Sequence, residues 1–589
     1  MKQVINIVGA VLILVFCLGV KTNAQNLNTA TLRDTQTLDG IWNVHIAPFG
    51  DAGKANMSKT VAADHIDPVF MDRLKVPGDW NTQSEKLYYF EGAIFYKRNF
   101  NRKKEAGKRF FIHFGAVNYQ ANVYLNGKEV GMHTGGFTPF NFEITDVMND
   151  GENTLVVRAT NDRRKAAMPT VRYDWWNYGG LTRSVSIVET PATFISDFTI
   201  HLQQNSPKNI EGQVQLTGEK ANQEVMIEIP ELKVKKTLKT NGNGVATFNL
   251  KSKKIRYWSP NDPYRYKVMV TAANDKVEDH IGLRTIEAKG GQILLNGKQL
   301  FLCGINIHEE APMGAGRVTT VAECRTLLQW AKDLGCNFVR LAHYPHSELM
   351  IREAEKMGLM VWSEIPVYWN IDFESKEAYK NAEQMLTEMI TRDKNSASVI
   401  LWSVANETRE SDARQQFLTD LLKKVKSMDQ TRLTTAAIEA FKEVDGVRVI
   451  DDKLGKYIDV IGVNCYCGWY FRQNGDCPNM GWDIRYEKPV IFSEFGAGAL
   501  QGLHGKSTEQ WTEEFQVKVY EDNIEMIKKQ MPFLDGMTPW LLMDFRSPIR
   551  PNRLIQNDYN RKGLISEQGI RKKAFYTLQK FYKEVKNEN

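Results

Sequence analysis

Two glutamates stand at the ends of apolar runs that have the pattern of buried strands. Glu407 follows the run at 398–405, and Glu494 ends the run that begins at residue 489. A single glutamate is usually a solvated charge or half of a salt bridge, but two that end well-separated strands of one sheet fit that explanation poorly. If they face each other, one carboxyl group can donate a proton while the other attacks or activates water, which is the chemistry of glycoside cleavage.

The elements that must position these glutamates begin after residue 286, where strand-like runs alternate with helical ones. The strand candidates are 300–306, 337–341, 359–364, 398–405, 432–438, 457–464, 489–494 and 536–544. Thr320 and Glu323 form a capping-box pattern, and Gly335 marks the expected end of that helix. Eight such units in about 300 residues predict a (β/α)8 TIM barrel over residues 286–589, with its chemistry at the carboxyl ends of the strands.

Polar and aromatic side chains follow most of these strand candidates. They are Arg340, His343, Glu364, Asn406, Glu407, Asn464, Tyr466, Ser493, Glu494, Trp540 and Asp544. We expect Arg340 and His343 to build the pocket floor through buried hydrogen bonds and Glu364 to support Arg340. The remaining residues predict a funnel of carboxyl, amide and aromatic groups.

The chain before the barrel has the pattern of two β-sandwiches. Residues 25–190 contain short alternating strands and the dipeptide Asn126-Gly127 between apolar runs, a strong hairpin signal, and they predict a jelly-roll sandwich. Residues 191–285 carry strands every 10–20 positions and predict an immunoglobulin-like sandwich. The predicted architecture is therefore two sandwiches followed by a barrel.

Two motifs give the chain a family resemblance. Val404-Ala405-Asn406-Glu407 and Ser493-Glu494-Phe495-Gly496-Ala497 resemble the acid/base and nucleophile motifs of glycoside hydrolase family 2. The resemblance spans nearly the whole mature chain, including the order of the three domains. It implies that Glu407 is the acid/base, that Glu494 is the nucleophile, and that the reaction retains anomeric configuration. It also implies that Asn406 binds the sugar 2-hydroxyl.

Further motifs resemble those of the β-glucuronidases of this family. They are Asp174-Trp175-Trp176-Asn177-Tyr178-Gly179-Gly180, Asn306-Ile307-His308-Glu309 and Asn464-Cys465-Tyr466-Cys467-Gly468-Trp469-Tyr470. The resemblance implies that Asp174 and His308 contact the sugar, Tyr466 orients the nucleophile, Tyr470 lines the pocket and Trp540 forms its floor.

The segment Asn560-Arg561-Lys562-Gly563 resembles the motif with which β-glucuronidases hold the C6 carboxylate. An amide and an ammonium group can satisfy a carboxylate with charge-assisted hydrogen bonds. The expected activity is therefore that of a retaining exo-β-glucuronidase without metal or organic cofactor. Asn560 and Lys562 argue against the alternative of a β-galactosidase but leave a β-galacturonidase open. A carbohydrate-binding protein on an inactive scaffold is a third alternative, which the intact carboxyl pair disfavours.

The amino terminus has the pattern of a signal peptide over residues 1–24. Lys2 precedes an apolar stretch, and Ala24 offers a small residue before a cleavage site. Lipidation of Cys17 is an alternative, although Phe16 fits a lipoprotein signal poorly. We expect an exported, periplasmic or secreted protein with no membrane span once the signal is removed.

The charge composition bears on the kind of binding partner that the chain could have. Loss of Lys2 and Lys21 with the leader lowers the net charge from +6 to +4, and the basic residues are interleaved with acidic ones, so nothing indicates nucleic acid. The family resemblance implies a carbohydrate substrate and a homo-oligomer. Cys465, Cys467 and Cys477 match no common zinc spacing, and unpaired thiols or one loop disulfide involving Cys477 are favoured.

Overall fold

The structure is a computed structural model, and it describes residues 32–46, 72–204, 206–314, 316–439, 442–473 and 475–588. The predicted signal peptide and Cys17 lie outside the described residues. In the described part of the chain, no helix combines the length and the apolar character needed to span a bilayer.

The amino-terminal domain is a sandwich of two antiparallel sheets. The six-stranded sheet contains, in spatial order, Asp72–Val76, Gly40–Ile46, Ala93–Arg102, Gly151–Thr160, Gln120–Leu125 and Lys128–Thr134. The four-stranded sheet contains Thr35–Thr37, Val185–Pro191, Lys108–Phe114 and Phe140–Glu143. Asn126 and Gly127 join two strands with φ angles of 51° and 77°. Positive φ at both positions is what a two-residue hairpin turn requires, so the predicted hairpin is confirmed.

The second domain is a smaller sandwich whose inner faces form a separate apolar core. One sheet contains Phe194–Gln203, Ser206–Thr217 and Val245–Lys251, and the other contains Val234–Lys239, Glu224–Ile229, Tyr266–Ala272 and Asp275–Ile281. A short sheet of Ile286–Lys289, Gln292–Leu295 and Lys298–Gln299 leads into the third domain.

The third domain is a closed parallel barrel of eight strands, as predicted. The strands, numbered one to eight around the barrel, are Leu302–Ile307, Phe338–Leu341, Met360–Glu364, Val399–Asn406, Leu433–Glu439, Val460–Asn464, Val490–Glu494 and Leu534–Met537. Nearly every residue in them is buried, because side chains pack into the barrel on one face and against the surrounding elements on the other.

Six α-helices are described around the barrel: Val321–Leu334, Glu348–Lys356, Lys376–Asp393, Asp412–Met428, Glu513–Gln530 and Lys573–Glu588. The predicted capping box forms, because Thr320 and Glu323 each bond the other's backbone N–H, and Gly335 ends the helix at φ 100°. Between strands five and seven, the described residues form short strands and 3-10 turns instead of α-helices. These are Glu443–Val444, Val447–Ile450, Lys453–Lys456, Cys477–Asn479 and Gly481–Ile484.

Strand eight is shorter than the predicted 536–544. It ends at Met537, and Pro539 follows, whose missing N–H cannot continue the ladder of hydrogen bonds. Trp540 and Asp544 therefore lie beyond the strand, where Phe545–Arg546 pairs with Tyr559–Asn560. Asp544 is buried with Lys572 Nζ at 2.8 Å from its Oδ1 and takes no part in the funnel at the barrel mouth.

Candidate active site

Glu407 and Glu494 both lie at the carboxyl-terminal mouth of the barrel. Glu494 is the last residue of strand seven, and Glu407 directly follows strand four. Glu407 has φ 50°, a conformation that costs a non-glycine residue about 1–2 kcal/mol. Its backbone N–H donates to the carbonyl oxygen of Ala437 on strand five at 2.9 Å, which holds the turn in place.

The Glu494 carboxyl group is bound by charged and phenolic donors. Arg340 Nη1 donates to Glu494 Oε1 at 2.9 Å, and Tyr466 Oη donates to Oε2 at 2.6 Å. Tyr466 lies two residues past strand six, so the position predicted for it beside the second glutamate is the one observed. Both oxygens are thereby oriented by donors that are themselves buried or half-buried.

Arg340 links several strand ends beneath the mouth. Besides Glu494, it donates to both oxygens of Glu364, at 3.0 and 3.1 Å, and to Asn406 Oδ1 at 2.7 Å. His343 Nδ1 lies 2.7 Å from Glu364 Oε1. Burial opposes ionisation of Glu364, but the charge of Arg340, together with the charge of His343 and the hydrogen bonds from both residues, outweighs it and lowers the pKa of Glu364 to about 2. The predicted Arg340–Glu364 pair therefore exists as a fixed ion pair in the pocket floor.

The Glu407 carboxyl group has different neighbours. Asn464 Nδ2 donates to Glu407 Oε1 at 2.8 Å, and Trp369 Nε1 donates to Oε2 at 2.8 Å. Burial raises the pKa of Glu407, and the charge of Glu494 raises it further. A carboxyl group in such surroundings keeps its proton to a higher pH than an ordinary glutamate, which is the property a proton donor needs.

Two buried side chains at the mouth have polar atoms without a partner among the described residues. Asn406 Oδ1 accepts hydrogen bonds from Arg340 and Asn464, whereas Asn406 Nδ2 has no partner. His308, one residue past strand one, bonds Tyr344 Oη through Nδ1 at 3.1 Å, and its Nε2 is unpaired. Burying an unpaired polar group is costly. Both residues are ones predicted to bind sugar, and each has one polar atom without a partner among the described residues.

A basic cluster closes the side of the mouth near strand eight. Lys562 is 3% exposed, and its Nζ lies 2.9 Å from Tyr470 Oη and 5.3 Å from the centre of the Tyr466 ring. No carboxylate among the described residues forms an ion pair with Lys562. Burial would raise the pKa of Tyr470, but the charges of Lys562 and Arg550 lower it. The Tyr470 ring is 59% exposed, while its hydroxyl group reaches inward to Lys562.

Asp174 reaches this cluster on a loop from the first sandwich. Its carboxylate accepts hydrogen bonds from Ser547 Oγ at 2.5 Å, from Asn560 Nδ2 at 3.1 Å and from Arg550 Nε at 3.1 Å, and it also pairs with Arg550 Nη2. The sequence predicted Asp174 on a sugar hydroxyl. The structure brings it into the pocket as the partner of Arg550, a second cation that the sequence analysis missed.

Trp540 forms part of the pocket floor, as expected. It is 4% exposed, and its ring stacks on His343 with centres 4.8 Å apart and meets His308 edge-on at 5.3 Å. Trp175, from the same loop as Asp174, contacts Tyr368 at 5.0 Å and thereby fixes that loop against the barrel.

The loop after strand six is closed by a disulfide between Cys467 and Cys477. This confirms the expectation of one loop disulfide involving Cys477, and Cys465 is a buried free thiol. The disulfide flanks the segment that carries Tyr470, so the wall of the basic cluster is covalently fixed. Among the described residues, no group of three or more His, Cys, Asp or Glu side chains could hold a metal ion.

Comparison with known families agrees with this geometry. Residues 286–587 match the model of the glycosyl hydrolases family 2 TIM barrel domain, and residues 71–191 match that of the family 2 sugar binding domain. Residues 188–284 match a further glycosyl hydrolases family 2 model. The chain belongs to family 2 of the glycosyl hydrolases. It is a glycoside hydrolase, and the predicted family and fold class are confirmed.

Several relatives carry names that specify an activity. A beta-glucuronidase of Streptococcus agalactiae is 28% identical over 91% of this chain and 94% of its own length. The human beta-glucuronidase is 26% identical over 94% of this chain and 92% of its own.

Solved structures share the fold along most of their length. A beta-glucuronidase from an uncultured Clostridium species has a TM-score of 0.81 at 25% identity and covers 94% of this chain and 98% of its own. A beta-galacturonidase from Eisenbergiella tayi bound to galacturonate has a TM-score of 0.80 at 23% identity, over 96% and 99% of the two chains.

Proposed function

We propose that the protein is a retaining, exo-acting β-glucuronidase that removes terminal β-D-glucuronic acid from glycans or conjugates. The observation that carries this proposal is the buried ammonium group of Lys562, which has a hydroxyl neighbour but no carboxylate partner among the described residues. Arg550 is the second cation of this cluster, and Asp174 is the carboxylate that binds it. The cluster therefore holds two cations and one anion. A uronic acid supplies the missing negative charge, whereas a neutral sugar leaves Lys562 uncompensated.

The relatives named beta-glucuronidase support the gluco-configured sugar. A β-galacturonide carries the same carboxylate and is the second candidate substrate, because the cluster at Lys562 binds the carboxylate and does not distinguish the two configurations at C4. A protein that only binds carbohydrate is disfavoured, because binding alone does not require a carboxyl group of raised pKa, such as Glu407, near a second carboxyl group that Arg340 and Tyr466 bind.

The reaction then follows from the contacts of the two glutamates. Glu494 attacks the anomeric carbon while Glu407 gives its proton to the glycosidic oxygen, so the leaving group departs as an alcohol and a glycosyl ester forms on Glu494. In the second step, Glu407 takes a proton from water as the water oxygen attacks the same carbon, and the ester bond breaks. Two displacements restore the β-configuration. Asn406 Nδ2 is placed to bind the 2-hydroxyl group, a contact that strengthens in the transition state.

The test compares nitrophenyl β-glucuronide, β-galacturonide and β-galactoside with the wild type, Lys562→Gln and Lys573→Gln. Lys573 is an exposed control eleven residues further along, paired with Glu514. We expect a clear preference for the glucuronide. Lys562→Gln should lower its kcat/KM roughly 100–1,000-fold, because the buried substrate carboxylate loses its counter-charge. Lys573→Gln should leave it unchanged.

A preference for the galacturonide would agree with the contact between Lys562 and the substrate carboxylate, but it would identify galacturonic acid instead of glucuronic acid as the sugar. A preference for the galactoside, unaffected by Lys562→Gln, would contradict the proposal.

We also propose that residues 1–24 direct export and that the chain acts outside the cytoplasm as a homo-oligomer. The Cys467–Cys477 disulfide supports export, because structural disulfides persist in oxidising compartments. Mass spectrometry of the protein recovered from the periplasm or medium should find Gln25 at the amino terminus, and light scattering should give a multiple of the chain mass. Retention in the cytoplasm with Met1 intact would contradict export.

A further inference from the structure

A third carboxyl group, Glu439, faces the catalytic pair from strand five. Glu439 is the last residue of that strand and lies opposite Asn464 of strand six in the ladder of paired residues. Asn464 is the residue whose amide donates to Glu407. Glu439 therefore lies next to the strand that orients the proton donor.

The alternation of strand five points Glu439 toward the barrel axis. Leu433 and Ala437 belong to the apolar cluster inside the barrel, whereas Ala436 and Ile438 belong to the cluster that packs against the surrounding helices. Side chains two residues apart share a face of a strand, so Glu439 continues the inward-facing series above Ala437, at the mouth.

Glu439 is half-buried, and its side chain forms no hydrogen bond or ion pair with another described residue. Burial raises the pKa of Glu439 to about 8, with further contributions from the charges of Glu407 and Glu494, while Arg409 acts in the opposite direction. Glu407 follows the neighbouring strand four, Glu494 ends strand seven, two strands away from strand five, and Arg409 is exposed just past strand four. A carboxyl group in this position is thus a neutral hydrogen-bond donor near neutral pH and an anion in alkaline solution.

The position of strand five determines which part of a substrate meets Glu439. Three groups proposed to hold the far side of the sugar, His308, Lys562 and Asp174, come from strand one, from the segment after strand eight and from the loop of the first sandwich. Asn406, at the end of strand four, is proposed to bind the 2-hydroxyl group next to the scissile bond. In a closed barrel of eight strands, strand five lies opposite strand one. The scissile bond lies between the two catalytic carboxyl groups, so Glu439 borders the unit beyond the glycosidic oxygen.

We propose that Glu439 determines specificity for the leaving group, by hydrogen bonding to hydroxyl groups of that unit and, in its anionic form, by disfavouring leaving groups that carry an anion. The substrates it favours are uronides linked to a neutral, hydroxyl-bearing unit such as a second sugar. This inference rests on the proposed β-uronidase function and adds the selection of the leaving group to it.

The experiment compares two phenyl β-D-glucuronides, one with a hydroxymethyl group and one with a carboxylate on the ring. The ratio of their kcat/KM values is measured from pH 6 to pH 9.5 for the wild type, Glu439→Gln, Glu439→Ala and the control Glu410→Gln. Glu410 is an exposed carboxylate on the loop after strand four, and it lies near Asp452 and Arg414. Taking the ratio at each pH cancels the titration of Glu407, which both substrates share.

The wild type and Glu410→Gln should prefer the hydroxymethyl substrate, and the preference should rise above pH 8 as Glu439 ionises. Glu439→Gln should keep the preference near neutral pH but lose its rise, because the amide does not ionise. Glu439→Ala should lower kcat/KM for the hydroxymethyl substrate about tenfold, the effect of losing one hydrogen bond in the transition state.

A ratio that is the same in the wild type and in both Glu439 variants at every pH would overturn this inference and leave the β-uronidase function standing. Failure of the wild type and of Glu410→Gln to hydrolyse either glucuronide would overturn the proposed function, and this inference with it.

Discussion

Glu494 and Glu407 lie at the same end of one barrel, yet a cation and a phenol bind Glu494, whereas two neutral N–H groups bind Glu407. Arg340 supplies a full positive charge to one side and none to the other, and burial acts on Glu407 without a counter-ion among its hydrogen-bond partners. The comparison teaches that two residues of one type can be given opposite tasks by their neighbours alone. In the proposed mechanism, one bonds to carbon and the other gives up a proton.

The largest expected effect comes from removing the carboxylate that Arg340 and Tyr466 orient. Glu494→Gln should lower kcat for nitrophenyl β-glucuronide by about 10⁴-fold or more, because the amide that replaces the carboxylate is a poor nucleophile. Stopped and continuous assays measure the rate, and calorimetry with glucuronic acid should show that binding survives. Turnover within tenfold of the wild type would assign the nucleophile to another residue.

A smaller loss of activity is expected from replacing Glu407, the carboxyl group that two neutral N–H groups bind. Glu407→Gln should lower kcat by roughly 10²–10⁴-fold for a glucuronide with a sugar leaving group and by less for the nitrophenyl substrate, whose leaving group needs no proton. Wild-type activity should fall as the pH rises through the raised pKa of Glu407, because the acid form is then lost. This alkaline decline should be absent in Glu407→Gln for the sugar-linked substrate, and a decline identical to that of the wild type would assign it to another group.

The smallest expected effect comes from removing one hydrogen bond, the one that Trp369 donates to Glu407. Trp369 donates to Glu407 and lowers its pKa, so Trp369→Phe should raise that pKa and move the alkaline decline to higher pH, with a few-fold loss of kcat. Trp330→Phe, on the helix Val321–Leu334 away from the mouth, serves as the control and should leave the profile in place. A shift to lower pH in Trp369→Phe would contradict the role assigned to the indole.

The fold was accessible from the sequence because the barrel strands carry continuous apolar runs. Glu407 and Glu494 were found because they stand at the ends of two such runs, and their roles were expected from the resemblance of the two motifs to those of the family. The motif at Asn560 and Lys562 identified the basic cluster, but Arg550 was missed because it lies in an irregular segment, and only the fold brings it to Asp174, 376 positions away.

Trp369 and Glu439 were missed for related reasons. Trp369 follows strand three in a loop with no periodic pattern, and its contact with Glu407 depends on the left-handed turn at that residue. Glu439 was placed one residue beyond the predicted end of strand five, so its inward direction was not visible. The end of strand eight was predicted too late because the apolar residues at 541–543 continue the pattern of a strand past Pro539.

The central claim, that one carboxyl group bonds to the sugar while the other carries the proton, is tested most directly by the stereochemistry of the first product. Proton nuclear magnetic resonance can follow the anomeric signals during rapid hydrolysis of nitrophenyl β-glucuronide, before the free sugar equilibrates. The account predicts that β-glucuronic acid appears first and the α-anomer later, by mutarotation. Initial release of the α-anomer would show a single displacement by water and would contradict the assignment of Glu494 as the nucleophile.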